Sequence, residues 1–271
     1  MSKRGFSVIL NVMFVDSAQI IGKKIWSDWV LLSLKTYKIA EQARPGQFIM
    51  AKVNDSFHPL LRRPFSIHNV SSGEIEIFFQ IVGIGTTILS EKKVGEKLNI
   101  IGPLGKGFNI TSSVQNKEYY LIGGGRGIAP LFFLAKEIKK AGGKPYVLYG
   151  AKTEKDLPLL KKFWDEEIQV YPSTEDGTLG WHGLITELFE HKLKERNKIE
   201  KIFVCGPHEM MKKIALIAEK NKLDAEYSLE SIFGCGIGAC WGCVVKLRRE
   251  KEKWVKACSE GPVFSGKEII W

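Results

Sequence analysis

The spacing of four cysteines near the carboxyl end constrains the fold of this chain more than any other feature. They follow the pattern C-x4-C-x2-C-x14-C, in which three fall on one loop and the fourth returns from farther along the chain. Plant-type [2Fe–2S] clusters are bound with a C-x4-C-x2-C…C spacing, because four thiolates must surround two bridged irons. The predicted cluster ligands are Cys235, Cys240, Cys243 and Cys258.

Glycines between these cysteines support the same interpretation. The loop contains Gly234, Gly236, Gly238 and Gly242, which allow the backbone to curl so that N–H groups point at a negatively charged centre. A structural zinc site is the main alternative, although zinc sites usually use paired C-x2–4-C units. A disulfide framework is a second alternative, and the spacing fits it less well.

The composition is typical of a folded globular protein. The chain has 271 residues, 44% of them hydrophobic and 26% charged, and this length is enough for about two domains with a buried core. Disordered, collagen-like and low-complexity classes are excluded. The formal net charge is +10, but no run of lysines carries the interleaved aromatic residues of a nucleic-acid platform. We therefore expect an anionic ligand or partner and no nucleic acid.

The sequence predicts no membrane span, because no stretch reaches the ~18 uninterrupted apolar residues that a span requires. Lys3 and Arg4, followed by the apolar residues 6–15, resemble the start of a short signal peptide. We interpret the segment as a first β-strand instead, since no small-residue cleavage pattern follows it and the cysteine pattern suits a reducing compartment. The predicted location is the cytoplasm.

The order of strands and helices changes near residue 112. Before it, short strands are predicted at 49–53, 64–70 and 74–82, as in an antiparallel barrel. After it, strands and helices alternate, which implies a doubly wound parallel sheet. These strands are predicted at 119–122, 145–149 and 201–204, with helices at 128–141 and 207–221. The predicted domains are an antiparallel β-barrel over 1–112, an α/β domain over 113–230 and a cluster-binding segment over 231–271.

Two motifs in the barrel part are suited to bind phosphate. Arg63, Pro64, Phe65 and Ser66 place a guanidinium, a rigid ring, an aromatic ring and a hydroxyl at one strand start, and the planar arginine suits a diphosphate. Taken alone, this string fits an ordinary barrel strand with a surface arginine better. The glycine turn at residues 83–87 precedes a predicted helix, whose first N–H groups can donate to phosphate.

A glycine-rich turn follows the first strand of the α/β part. It has the sequence G-G-G-R-G-I-A-P over residues 123–130, and the N–H groups at such a helix start can hold a pyrophosphate. It departs from the G-x-G-x-x-G fingerprint, whose third glycine would fall on Ile128, and a simple tight connection is an alternative. Cys205 ends a later strand, where doubly wound sheets bind ligands, although a small buried apolar role is equally compatible.

Together these motifs resemble the ferredoxin reductase superfamily. The string from Arg63 to Ser66 is similar to its flavin-binding R-x-[Y/F/x]-[S/T] motif on a six-stranded barrel, and residues 123–130 and 204–207 are similar to its nicotinamide-nucleotide motifs. The cysteine loop narrows the family, because it resembles that of the electron transfer subunits of B-type dihydroorotate dehydrogenases. The resemblance covers essentially the whole chain. Phe65, Trp241 and Gly242 depart from the residues most expected there, and none is a cluster ligand.

The resemblance implies FAD in the barrel, NAD(H) on the parallel sheet and the cluster near the outgoing surface. Nicotinamide moves two electrons whereas the cluster accepts one, so a flavin must stand between them. The implied catalytic residue is Cys205, beside the nicotinamide. The implied cofactor-binding residues are Arg63, which neutralises the FAD diphosphate, Ser66, which hydrogen-bonds the flavin ring, and Pro64, Phe65, Phe79, Gln80, Gly85, Thr86, Gly124, Gly125, Gly127, Gly206 and Pro207.

The resemblance also implies a partner, an FMN-containing catalytic subunit that oxidises dihydroorotate in pyrimidine biosynthesis. This chain would forward the electrons to NAD+ in a heterotetramer with two copies of each subunit. Two alternatives stay open, a stand-alone or bifurcating NAD(P)H:ferredoxin-type reductase subunit and a non-enzymatic module that keeps the fold. The choice between NAD and NADP also stays open, because two residues of opposite charge follow the second sheet strand. Glu154 favours NAD, whereas Lys152 favours the 2′-phosphate of NADP.

Overall fold

The computed structural model describes residues 13–110, 114–195, 198–248 and 252–271. They form a barrel, a mostly parallel sheet covered by helices, and a cysteine-rich segment. Most of the first strand predicted at residues 6–15 lies outside the described residues. No helix within them is long and apolar enough to cross a membrane.

The barrel is built from alternating strands, as the sequence predicts. In the fifth strand Ile75 and Ile77 are buried, whereas Glu74 and Glu76, which alternate with them, are only half-buried, so one face fills the barrel. The described elements are β1 (Phe14–Trp26), β2 (Trp29–Lys35), α1 (Tyr37–Gln42), β3 (Phe48–Lys52), β4 (Arg63–Ser71), β5 (Glu74–Gln80), α2 (Ile84–Glu91) and β6 (Lys97–Leu104). The six strands close in the order β1-β2-β5-β4-β3-β6, all pairs antiparallel, which confirms the predicted barrel.

The second sheet has helices on both faces, and this confirms the doubly wound prediction. Its parallel strands are β7 (Glu118–Gly124), β8 (Lys144–Ala151), β9 (Gln169–Thr174), β10 (Trp181–His182), β11 (Lys201–Cys205) and β12 (Ala225–Ser228). The helices are α3 (Ala129–Lys140), α4 (Leu160–Asp165), α5 (Ile185–Glu195) and α6 (His208–Lys220). The first two pack on one face of the sheet and the last two on the other. A 3-10 turn, Gly125–Ile128, precedes α3.

The cysteine-rich segment ends by joining the parallel sheet. It contains the hairpin β13 (Val244–Arg248) and β14 (Glu252–Lys256), the short helix α7 (Ala257–Glu260) and strand β15 (Val263–Ser265). Strand β15 pairs antiparallel with β12, with Ser228 opposite Val263. The added strand satisfies backbone groups that would otherwise lie unpaired along the edge of β12. The sheet order is therefore β10-β9-β8-β7-β11-β12-β15.

A buried histidine joins the barrel to the helical layer. His68 on β4 is fully buried and stacks on Phe132 of α3, with 4.8 Å between the ring centroids. Its Nδ1 donates a hydrogen bond of 2.7 Å to the carbonyl oxygen of Ala129. Burial lowers the pKa of His68 to about 4, and the nearby carboxylate of Glu76 opposes that shift only in part. The imidazole is therefore neutral in the folded protein at neutral pH.

We expect acid to weaken the folded state through His68. The pKa of His68 falls from its ordinary value of 6.5 to about 4 on folding, so the unfolded chain binds the extra proton and stability falls as pH drops from 6.5 towards 4. The whole shift corresponds to about 3 kcal/mol in the free energy of unfolding. Urea unfolding at several pH values should show a flatter profile for His68→Gln. The exposed His58→Gln should keep the wild-type slope, and an unchanged slope in His68→Gln would assign the acid sensitivity to Glu76 or other groups.

Candidate functional site

A cavity of about 280 Å³ lies where the barrel meets the sheet. It forms there because the start of β4 and the end of β5 face the start of α3 and the carboxyl end of β11 across one space. The sequence-predicted residues in its wall are Arg63, Pro64, Phe65, Ser66, Phe79, Gln80, Thr86 and Cys205. The barrel motif and the strand-end cysteine, which are far apart in sequence, therefore border one space.

Arg63 and the start of α2 form a site for a phosphate group. A Cβ at Gly85 would lie 2.8 Å from Arg63 Nε, so the glycine lets the guanidinium rest on the helix start. The hydroxyl of Thr86 accepts the backbone N–H of Val82 at 2.9 Å. Gly85 is thus beside the cavity and not in its wall. A guanidinium over a helix start matches the charge and donor geometry of a diphosphate.

Arg62, the neighbouring arginine, is bonded to β6 and does not line the cavity. Its Nη2 donates to Asn99 Oδ1 at 2.5 Å and its Nη1 donates to the Asn99 carbonyl oxygen at 3.0 Å. Arg62 is therefore held against β6, and of these two arginines Arg63 is the one in the cavity wall.

A second cavity, of about 970 Å³, lies at the carboxyl ends of the parallel strands, and its size suits a dinucleotide. The predicted residues in its wall are Gln80, Gly124, Gly125, Gly127 and Pro207. A Cβ at Gly127 would overlap the carbonyl group of Cys205, so only glycine lets this turn approach β11. Gly206 lies behind the wall, against Met210 and the backbone of Gly124.

The two cavities meet at four shared residues, Gln80, Val82, Arg126 and Glu230. The sequence analysis did not single out Arg126 or Glu230. Arg126 stands inside the glycine turn, which was the available signal, whereas Glu230 follows β12 without any motif around it. A ring bound in one cavity can therefore approach a ring bound in the other at this junction.

Cys205 lies in the wall of the smaller cavity with only 4% of its surface exposed. Burial raises the pKa of the Cys205 thiol well above its usual range, and the negative charge of Glu230 adds to that effect. A hydrogen bond with Ser228 opposes the shift. The side chain is therefore a neutral thiol at neutral pH, able to contact a bound ring but not to act as a thiolate nucleophile. The catalytic role that the sequence analysis predicts for Cys205, beside the nicotinamide, stays a prediction.

The cysteine loop directs backbone N–H groups at sulfur. Cys235 Sγ accepts hydrogen bonds from the N–H groups of Ala239 at 3.3 Å and Cys240 at 3.4 Å. Burial raises the pKa of Cys235, but backbone hydrogen bonds, led by that of Ile237, outweigh it and lower the pKa to about 6. Gly236 has a φ of 73°, which an L side chain rarely adopts. These features favour the thiolate form that an iron–sulfur cluster requires.

The predicted cluster ligands lie near one another, although in the described part of the chain no three His, Cys, Asp or Glu side chains converge closely enough to hold one metal ion. Burial and the nearby thiols of Cys243 and Cys235 raise the pKa of Cys258 to about 12, so these sulfurs lie close enough to interact electrostatically. Cys243 Sγ also accepts the backbone N–H of Cys258 at 3.4 Å.

The cysteine loop also borders the smaller cavity. Phe233, two residues before Cys235, packs on Phe48 of β3 with 4.9 Å between ring centroids, and both rings line the cavity. A Cβ at Gly236 would overlap Met50 on the same strand. The loop is therefore seated directly on the barrel.

Comparisons with known proteins agree with this geometry. Residues 230–270 match the family model for the iron–sulfur cluster binding domain of dihydroorotate dehydrogenase B, and residues 121–215 match the oxidoreductase NAD-binding domain. The dihydroorotate dehydrogenase B (NAD(+)) electron transfer subunit of Desulforamulus reducens is 39% identical over 236 residues, which cover 86% of this chain and 89% of the relative. The chain belongs to the family of dihydroorotate dehydrogenase B electron transfer subunits. These matches confirm the cofactor prediction of FAD, NAD and a [2Fe–2S] cluster.

Further relatives support the family assignment. The dihydroorotate dehydrogenase B electron transfer subunit of Fusobacterium nucleatum is 33% identical over 91% of this chain and 94% of its own length. A chain of an NADH-dependent reduced ferredoxin–NADP oxidoreductase structure superposes with a TM-score of 0.82 at 30% identity, covering 94% of this chain and 90% of that one. A ferredoxin–NADP+ reductase from Neisseria gonorrhoeae, at 16% identity and a TM-score of 0.65 over 76% of this chain and 91% of its own, shares the fold.

Proposed function

We propose that this chain passes electrons between a dihydroorotate-oxidising FMN subunit and NAD+, through FAD and a [2Fe–2S] cluster, in pyrimidine biosynthesis. The observation that carries the proposal is the order of three adjoining sites. The larger cavity meets the smaller one at Arg126 and Glu230, and the cysteine loop borders the smaller one through Phe233. Family membership indicates that dihydroorotate is the substrate at the end of this series beyond the cysteine loop.

In this scheme, the chain's own residues bind and orient the flavin and the nucleotide. FAD, when bound, accepts electrons in pairs and releases them singly. Arg63 and the N–H groups of α2 would hold its diphosphate, and Ser66 would donate a hydrogen bond to its ring from the cavity wall. The turn Gly125–Ile128 would hold the nucleotide pyrophosphate. The buried thiol of Cys205 would contact a ring bound in the smaller cavity, and hydride transfer needs no general base.

The proposed domains follow these three sites. Residues 1–112 form the flavin domain, 113–230 the nucleotide domain and 231–271 the cluster segment, whose last strand β15 lies on the nucleotide sheet. The family's description as an electron transfer subunit implies a catalytic partner. We assign that role to the FMN subunit, with two copies of each chain, in the cytoplasm, where thiolate ligands stay reduced.

An anaerobic spectrum with flavin and iron analysis tests the proposal. The purified chain should carry FAD and about two irons, and NADH should bleach both whereas dihydroorotate should bleach neither. Adding the FMN subunit should make dihydroorotate reduce both centres. Zinc in place of iron, or a chain without flavin, would overturn the proposal.

A second candidate is a ferredoxin-type reductase subunit, which the superposition on the NADH-dependent ferredoxin–NADP oxidoreductase favours. The same experiment separates the two. NADH-driven reduction of ferredoxin, together with no response to dihydroorotate when the FMN subunit is present, would select this second function.

A further inference from the structure

Lys256, the last residue of β14, lies against the cysteine loop. Its Nζ donates a hydrogen bond of 2.9 Å to the carbonyl oxygen of Gly238. The same Nζ lies 4.7 Å from the ring centroid of Trp241. Both contacts are to residues between the predicted ligands Cys235 and Cys243. The ammonium group is therefore fixed on the loop that would surround the cluster.

The hairpin of β13 and β14 determines where this lysine lies. Lys256 pairs with Val244, which follows Cys243. The N–H of Ala257 donates to the Cys243 carbonyl oxygen at 2.8 Å. Val255, one position before the lysine, is buried, so the alternation of a strand turns Lys256 to the other face. The backbone register thus places the lysine beside the loop.

Gly238 connects the lysine to a predicted ligand. Its carbonyl oxygen accepts the hydrogen bond from Lys256. Burial and Cys243 raise the pKa of Cys258, and a hydrogen bond from the backbone of Gly238 opposes them. One residue therefore accepts from the ammonium group and donates to a sulfur, so the position of the lysine affects how the N–H is directed at Cys258.

The charge of Lys256 is not neutralised by a carboxylate in the part of the chain that the structure describes. Its ammonium group contacts a carbonyl oxygen and an aromatic ring there, and forms no ion pair. The ring of Trp241 covers one side of the ammonium, an arrangement that is itself attractive. Because the ring keeps water from that side, the charge is screened less than that of a fully exposed lysine.

A positive charge at this place affects the reduction of the cluster. Four thiolates and two sulfides outweigh the charge of two irons, so the centre is anionic, and an added electron makes it more so. A nearby ammonium group favours the reduced form because it attracts the added charge. Hydrogen bonds directed at the sulfurs act in the same direction. Removal of the ammonium group should therefore make the cluster harder to reduce.

We propose that Lys256 is a positioning residue that raises the reduction potential of the cluster, by placing its charge beside the cysteine loop and by holding the peptide of Gly238 against Cys258. The inference rests on the cluster of the proposed function, and it does not depend on dihydroorotate as the electron donor. It also gives a role to Trp241, which departs from the residue most expected at its position and here covers the ammonium group.

Redox titration of the holoprotein, followed by the electron paramagnetic resonance signal of the reduced cluster, tests this proposal. At a fixed solution potential, the ratio of reduced to oxidised cluster should fall about tenfold in Lys256→Met, which is about 59 mV for a one-electron couple. Lys256→Arg keeps the charge and should stay within about twofold of the wild type. The matched control is Lys253→Met, which removes the same charge from an exposed position on the same strand and should also stay within about twofold.

Lys256→Gln guards against a loop that is distorted in the methionine variant. It removes the charge but keeps a donor for Gly238, so the ratio should still fall by about threefold or more. A smaller fall in both neutral variants, or an equal fall in Lys253→Met, would overturn the inference. If neither neutral variant retains iron while Lys256→Arg does, the lysine serves assembly of the centre and not its potential, which also overturns it.

Iron and zinc analysis of the wild-type protein separates this inference from the proposed function. Zinc in place of iron would overturn both together. About two irons per chain, with a potential that does not change in the neutral variants, would overturn the role of Lys256 and leave the proposed function intact.

Discussion

Replacing Cys240 with serine is expected to abolish cluster binding while leaving the flavin in place. Cys240 is an exposed side chain on the cysteine loop, so its loss removes a predicted ligand without opening a core. Iron should fall from about two atoms per chain to near zero, and the visible absorption of the cluster should vanish with it. NADH should still bleach the flavin, because the two cavities do not include this residue. Iron analysis and anaerobic spectra measure both effects.

Cys205→Ser is the matched control for that experiment. It makes the same chemical change at the fifth cysteine, which is buried at the end of β11 and outside the cysteine loop. Its iron content should equal that of the wild type, whereas its rate of flavin reduction by NADH should change. Full iron retention in Cys240→Ser would remove this residue from the ligand set.

Replacing Arg63 with leucine is expected to weaken FAD binding by about 10- to 100-fold, the loss of about 1.5–3 kcal/mol for charge-assisted hydrogen bonds to a diphosphate. The guanidinium rests on Gly85 at the start of α2, and no other arginine of the barrel lines this cavity in the described residues. Fluorescence titration of the flavin-free protein with FAD gives the dissociation constant directly.

Arg62→Leu makes the same change one residue earlier, where the side chain is bonded to Asn99. It should lower the melting temperature of the barrel slightly and leave the FAD dissociation constant within about twofold of wild type, because it removes no contact to the cavity. An equal loss of FAD affinity in both variants would mean that barrel stability, and not the phosphate contact, sets the affinity.

Local patterns were enough to predict the elements that carry chemistry. The period-two alternation around Ile75 and Ile77 predicted β5, and the glycines between the cysteines predicted a loop whose N–H groups point at the cluster. In the structure, two such N–H groups point at Cys235 Sγ. Both patterns depend on residues close together in sequence. The barrel motif around Arg63 could be interpreted as a flavin-binding motif only through the family resemblance, because its four residues alone fit an ordinary strand better.

The parts that sequence could not predict depend on contacts between distant segments. Glu230 enters the site only because two cavities meet beside β12, and Glu175, unlike Glu154, lines the larger cavity because β9 ends next to β8. His68 sits in a strand with no neighbouring signal, and its burial comes from the helix that packs over it. In each case, the segment that places the residue is more than twenty residues away or follows another strand. The periodicity of the sequence cannot predict such a contact.

Because β15 pairs with β12, the cluster segment is an insertion in the sheet and not a trailing tail. Because Ser228 lies opposite Val263, residues 229–262 leave and re-enter the sheet at one place, as an inserted loop with both ends fastened. Fastening the ends removes much of the chain entropy that four distant ligands would otherwise lose on gathering around iron. Assembly of the metal centre is thus prepared by the folding of the neighbouring sheet, and a truncation meant to trim a trailing tail would instead strip an edge strand from that sheet.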